Sequence, residues 1–138
     1  MATSECTCNL IRAMARHVTR LYDDRLRPCG LKLTQYAVLS RLKRLGSTSL
    51  VTLARESDLD VTSMSRAMRP LINAGFVELG NGPNARTNAY SLTGAGRRAY
   101  DEAHELWRRA QDEIGALISP ELVGELRTVA DTLRARES

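Results

Sequence analysis

Six stretches of this chain repeat apolar residues at spacings of three and four, and one pair of short runs alternates them at two. That pattern predicts six helices and a small β-ribbon, a mainly α fold. The first stripe, Ile11, Met14, Val18, Leu21 and Leu26, runs from about Cys8 to Leu26, and Pro28 and Gly30 break it. Thr34 is placed to cap a second helix, Gln35 to Leu45, with Val38, Leu39, Leu42 and Leu45 inward and Gly46 at its end. Ser47–Ser49 reads as a connector with room for a single β-bridge. A third helix, about Leu50 to Glu56, turns Leu50, Leu53 and Ala54 inward.

After the turn Ser57–Asp60 comes the stretch around which the rest is organised. Val61, Met64, Met68, Leu71 and Ile72 make one buried face of a fourth helix, with Asp60 as its cap and Gly75 as its stop. Off that face stand Thr62, Ser63, Ser65, Arg66 and Arg69. These are short hydrogen-bonding side chains around two guanidinium forks, the mixture that reads base edges and grips phosphates. Pro70 removes a backbone donor and crowds the preceding turn, at about 3 kcal/mol in a helix interior. Because Leu71 and Ile72 keep the apolar period beyond it, a kink near Arg66–Arg69 is expected rather than a displaced last turn. Phe76–Leu79 then alternates as a strand, Asn81–Ala85 is turn-rich, and Asn88–Leu92 returns as a second strand.

A long helix follows from Thr93 to about Leu117, with Tyr100, Ala103, Trp107, Ala110, Ile114 and Leu117 as a heptad seam. Ser119-Pro120-Glu121 is a strong helix start, with a cap, a proline in the first position and an acid in the first turn. The last helix carries Leu122, Leu126, Val129 and Leu133. A core stripe would explain either seam alone. One small domain cannot bury so many helices outside the helix-turn-helix unit, so the seams predict an intersubunit bundle built by both chain ends. The expected plan is one domain, 1–138, with dimerisation helices at 1–33 and 94–138 and a winged helix-turn-helix at 34–93.

Charge sharpens this reading. Between Val61 and Arg98 there are five arginines (66, 69, 86, 97 and 98) against one acid, Glu78, so the segment carries +4, which is the whole net charge of the chain. The rest sums to zero. A polyanionic partner is implied, and aromatics at only 4% argue against a stacking platform for single strands, leaving duplex DNA. Arg86, at the base of the loop, is placed to enter a neighbouring minor groove. Arg12, Arg16 and Arg20 line the first helix at i, i+4 spacing and read as solvated surface, with Arg20 and Asp24 as a surface pair. No apolar run approaches the ~20 residues of a membrane span. Three cysteines are an odd number, so no disulfide framework is expected and the cytoplasm is the expected compartment.

Enzymatic function finds little support. His17 and His104 are far apart, no His/Cys/carboxylate group has metal spacing, and neither a phosphate loop nor a nucleophile elbow is present. No metal and no cofactor are expected. His104 beside the seam reads as a surface or interface histidine. A helical module that meets an acidic protein through its basic patch remains the alternative of a different class.

The chain resembles the MarR family of transcriptional regulators along nearly its whole length. The resemblance rests on Leu31-x-x-Thr34-Gln35-Tyr36, Leu53-Ala54, Leu71-x-x-x-Gly75-Phe76-Val77 and Leu92-Thr93-x-x-Gly96, together with the order of the elements. It implies a homodimer on a pseudo-palindromic operator, usually a repressor, released by a small ligand between the dimerisation and DNA-binding parts or by cysteine oxidation. The family's wing usually carries Asp-x-Arg where this chain has Asn84-Ala85-Arg86, so the arginine is kept without a charged partner to hold it. Placing Arg16-x-x-Thr19-Arg20-x-Tyr22 and Gln35-Tyr36 on the family's organic-hydroperoxide sensors puts Cys8 at their reactive cysteine. Tyr22 then stands at one of the positions of their sulfur-binding tyrosines, while Arg12 and Leu33 occupy the other two. A thiolate at a helix start is the species that peroxides attack, which makes peroxide sensing through Cys8 the alternative route of release. An inert, semi-buried Cys8 is the bland reading of the same residue.

Overall fold

The structure, a computed structural model, describes residues 6–80 and 89–137. In chain order it contains α1 (Thr7–Leu26), a 3-10 turn (Arg27–Cys29), α2 (Leu33–Leu45), β1 (Thr48–Ser49), α3 (Leu50–Glu56) and α4 (Val61–Asn73). These are followed by β2 (Val77–Leu79), β3 (Ala89–Leu92), α5 (Gly94–Leu117) and α6 (Pro120–Glu137). The three strands form one antiparallel sheet in the order β1-β3-β2. Val77 lies opposite Leu92, and Thr48 opposite Tyr90, so the connector before α3 is stitched to the return strand. This is the expected mainly α fold with a small β-ribbon.

Helix starts follow local chemistry. α2 begins earlier than expected, at Leu33, and Lys32 rather than Thr34 holds the cap position. Asp23 Oδ1 accepts from Leu33 N–H at 2.7 Å and Gln35 Oε1 accepts from Lys32 N–H at 2.9 Å, so two side chains satisfy amides that a Thr34 cap would have left outside the helix. α6 opens as its sequence predicts, with Ser119 Oγ accepting from Leu122 N–H at 3.1 Å. The Arg20–Asp24 pair does not form; Asp24 instead pairs with Arg27 at 2.6 Å.

The core lies where α2, α3, α4 and α5 meet. Leu26, Leu39, Leu42, Leu53, Met64, Met68 and Leu71 are its largest fully buried side chains. Leaving water is worth roughly 1.5–3 kcal/mol for each such side chain, so this cluster is a main source of the fold's stability. Against it stacks an aromatic group from α2 and α5. The Tyr36 ring lies 5.5 Å from Tyr100 and 5.6 Å from Trp107, nearly parallel to both, and its hydroxyl is 2.8 Å from Nδ1 of His104. Burial, with the neighbouring Tyr100, pushes the Tyr36 phenol well above its ordinary value.

Candidate nucleic-acid interface

α3, its following turn and α4 form the helix-turn-helix. Ser49 caps α3, its Oγ accepting from Thr52 N–H at 3.1 Å. The turn is held by Leu59 N–H donating to Ala54 O at 2.9 Å, and Asp58 adopts a left-handed φ of 53°, which Asp tolerates better than most residues. From behind, Arg41 Nε donates to Glu56 O at 3.1 Å and ties α2 to the end of α3. The angle of α4 is thus fixed by a buried apolar joint and a few polar ties.

α4 is capped by Asp60, whose Oδ1 accepts from Ser63 N–H at 2.7 Å while Oδ2 accepts from Ser63 Oγ at 3.0 Å. Those bonds, the backbone one first, hold the Asp60 carboxyl below its usual range. Met64, Met68 and Leu71 are buried, but Val61 and Ile72, assigned to the same face, are 44% and 40% exposed. They sit at the helix ends, where the curved core has already fallen away. The helix runs through Pro70 to Asn73 without a break. Pro70 is exposed, so the bond it omits costs less there than it would in a fully packed turn.

The opposite face is open. Thr62, Ser65, Arg66 and Arg69 are exposed and Ser63 is half-buried. Among the described residues neither Arg66 nor Arg69 has an ion-pair partner, so both forks are available to an outside acceptor. Asn84 and Arg86 lie outside the described residues. At the base of the ribbon, α4 ends in a left-handed turn: Gly75, at φ 78°, donates to Ile72 O and Phe76 to Leu71 O. Thr93 Oγ1 then bonds the Gly75 carbonyl at 2.6 Å and accepts from Gly96 N–H at 3.0 Å, locking α5 to the end of α4.

Residues 31–80, which contain α2, α3, α4 and β2, match the family model described as the MarR family. The fold is shared with the transcriptional regulator MosR of M. tuberculosis, solved in complex with DNA. The two are 29% identical, with a TM-score of 0.84 over 97% of this chain and 100% of that one. Across residues 31–80 the chain is thus similar to the MarR family. Two further solved structures share its fold. One is a cysteine-to-serine mutant of MarR from E. coli complexed with operator DNA, at 22% identity and a TM-score of 0.76 over 91% of each chain. The other is a probable transcriptional regulator from Pseudomonas aeruginosa, at 22% identity and a TM-score of 0.79 over 94% of this chain and 97% of that one. No curated protein matches the sequence.

In this chain the two ends of the α5 seam have different surroundings. Ala103 and Ala110 are fully buried and Tyr100 and Trp107 half-buried, all within one chain, because α1 and α2 cover that side of α5. Ile114 is half-buried and Leu117 is 77% exposed. Along α6 no residue is buried, and Leu122, Val123, Leu126, Val129 and Leu133 are 39–56% exposed. The start of α1 is equally bare, with Leu10, Ile11 and Met14 exposed.

Cys6 and Cys8 are exposed and Cys29 is half-buried, its thiol facing Leu26 O at 3.0 Å. Tyr22 stands fourteen residues beyond Cys8 on the same helix, about 21 Å along its axis at 1.5 Å per residue, so the two cannot meet within one chain. The Tyr22 hydroxyl is instead bonded to Gln111 on α5. Among the described residues no group of three or more His, Cys, Asp or Glu side chains is placed to hold a metal. No helix among the described residues is long and apolar enough to cross a membrane.

Sequence reasoning missed several residues that shape this site. Arg41, Asp58 and the Thr93–Gly75 joint act on the position of α4 without touching its open face. Only the last had a signal, since its residues fall within two of the quoted motifs.

Proposed function

We propose that the chain is a dimeric repressor that reads a pseudo-palindromic operator in duplex DNA and is released by a small ligand. The observation that carries the reading is the open face of α4. Thr62, Ser65, Arg66 and Arg69 project opposite a buried stripe, and the two arginines have no ion-pair partner among the described residues. An outward array of this kind is what major-groove reading requires, and MosR of M. tuberculosis, which shares the fold, has been solved with DNA bound. In this reading residues 34–93 engage DNA, Asn84 and Arg86 serve as the wing contact, and the protein works in the cytoplasm.

Self-association is supported by apolar surface. Large apolar side chains are exposed at the α1 start, at Leu117 and along the length of α6, which is the kind of surface that marks an interaction site. Residues 1–33 and 94–138 therefore form the dimer body. Within it Ile114, Leu117, Leu122, Leu126, Val129 and Leu133 are the contact residues, while Tyr100, Ala103, Trp107 and Ala110 support them from inside. For the ligand, the half-buried rings of Tyr100 and Trp107, backed by the buried Tyr36 at the junction of α2 and α5, offer aromatic surface to a planar molecule.

Selection of bound fragments from genomic DNA tests the reading directly. A short palindromic sequence upstream of genes is the expected outcome, with half-site centres about 10 bp apart. Binding to random duplex DNA should weaken steeply with salt. A flat salt response with no enriched sequence would transfer the basic patch to an acidic protein partner.

A further inference from the structure

α5 carries the chain away from the DNA-binding half, and α6 brings it back. Near its end, Arg134 makes a two-pronged contact with Asp58, 76 residues earlier in the turn between α3 and α4. Nε donates to Oδ1 and Nη2 to Oδ2, both at 2.9 Å. The third arm of the guanidinium, Nη1, donates to Asp131 Oδ1 at 2.7 Å, which fixes the fork on its own helix. Leu59 and Leu133 line an open groove beside the pair, with Ala54 and Ala130. Asp58 sits two residues before Asp60, the cap of α4, and its left-handed backbone gives its side chain a set direction.

We propose that the Arg134–Asp58 fork is a strap that fixes the orientation of the recognition helix relative to the dimer body, and so sets the half-site spacing the protein accepts. The inference rests on the reading of α4 as a DNA-binding helix. Without the strap, the DNA-binding half hangs from the dimer body through α5, α1 and their packing on α2. With it, a second attachment reaches the one turn whose geometry determines where α4 points. A planar guanidinium bound to both carboxylate oxygens constrains rotation as well as distance, which a single hydrogen bond does not. Both partners face solvent, with side chains 52% and 60% exposed, so the strap's role is directional. Exposed pairs of this kind add little to global stability. Its acidic end therefore functions as a positioning residue and Arg134 as its anchor.

The test compares the full-length parent with Arg134→Gln, Asp58→Asn and the double variant. Asparagine is chosen because it tolerates the left-handed φ. Each protein is offered duplexes bearing the half-sites recovered by genomic selection, moved apart and together one base pair at a time. The parent is expected to prefer one spacing sharply. Each single variant should flatten that preference by up to about fivefold, the factor an exposed ion pair can supply. The double variant should flatten it no further, since both changes break one contact. Dimer sedimentation should remain that of the parent, and the thermal midpoint should fall by no more than one exposed ion pair supplies. A spacing profile in both single variants that matches the parent overturns the strap. A parent that selects no duplex overturns the DNA reading instead, and amide exchange then decides the strap on its own. Faster exchange at Ser63 and Met64 in Arg134→Gln supports it, and unchanged exchange there overturns it.

Discussion

Thr93 Oγ1 donates its hydroxyl proton to the carbonyl oxygen of Gly75 at 2.6 Å, and Thr93 Oγ1 itself accepts from the amide of Gly96 at 3.0 Å. One side chain thereby caps α5, satisfies the end of α4 and fixes the angle between them. Gly96 completes the joint, since a Cβ there would lie 2.0 Å from Phe76 O. Two motifs that look separate in the sequence, Leu71-x-x-x-Gly75-Phe76 and Leu92-Thr93-x-x-Gly96, are two halves of one contact.

Gly96→Ala should therefore destabilise the protein by about 1–3 kcal/mol, because the clash is with backbone and outweighs the usual helical gain of alanine over glycine. At Gly115, where a Cβ meets nothing within 4 Å, the same substitution should stabilise by roughly 0.5–1 kcal/mol. Urea unfolding of the pair measures both signs.

Arg66→Ala should lose roughly 1–3 kcal/mol of operator binding and relax the preference at one base pair. Arg86→Ala should weaken all sequences alike, unless the flanking minor groove is narrow and A/T-rich. Competition binding against a randomised pool separates the two patterns, and an Arg66→Ala protein as selective as the parent would refute the assignment of α4.

Ser57 Oγ is buried in the turn without a hydrogen-bond partner among the described residues. An unsatisfied buried hydroxyl costs about 1–3 kcal/mol, so Ser57→Ala should leave stability unchanged or raise it by up to about 1 kcal/mol. A fall in the thermal midpoint would mean that the hydroxyl has a partner after all.

The carboxyls of Asp58, Asp60 and Glu113 are held below their ordinary values, by Arg134, by the amide and hydroxyl of Ser63, and by Arg25 respectively. Their folded values lie below their unfolded ones. The stability they lend is thus present above the ordinary carboxylate range and is lost as pH falls through the lowered values. At the alkaline end Tyr36 behaves oppositely. Its raised folded value keeps stability intact below the ordinary tyrosine range and removes it as pH rises further. Thermal midpoints should be level around neutrality, then decline below about pH 4 and above about pH 10.

If peroxide releases the protein through Cys8, Cys8→Ser should hold its DNA in peroxide, and Tyr22→Phe should slow oxidation only by acting across the dimer, given the ~21 Å between them in one chain. Release of the Cys8→Ser variant by peroxide would leave ligand binding as the route.

Much of the fold was legible because period and punctuation agreed. Asp60, Gly75, Ser119 and Pro120 mark boundaries by local chemistry that needs no tertiary context. α2 was misplaced by two residues because its cap comes from Asp23, ten positions upstream in another helix. The heptad seam of α5 was correctly periodic, yet periodicity does not say which helix lies opposite. Ala103 and Ala110 face the chain's own α1 and α2 side, and nothing in their spacing distinguishes that from a second subunit. The open face of α4 could be read because its polar residues alternate with a buried stripe. The Arg134–Asp58 contact could not, since neither residue carries a local pattern and 76 positions separate them.

The bareness of α6 has a consequence for folding. None of its eighteen residues is fully buried in one chain, and an isolated helix of that length is marginal in water. In the proposed dimer the apolar contacts that hold it would come with the second subunit, which makes assembly and the ordering of this helix one process. Diluting the protein below its dimerisation constant should cost ellipticity as well as mass. Any freshly made subunit would then wait, with its last segment unformed, until it met another.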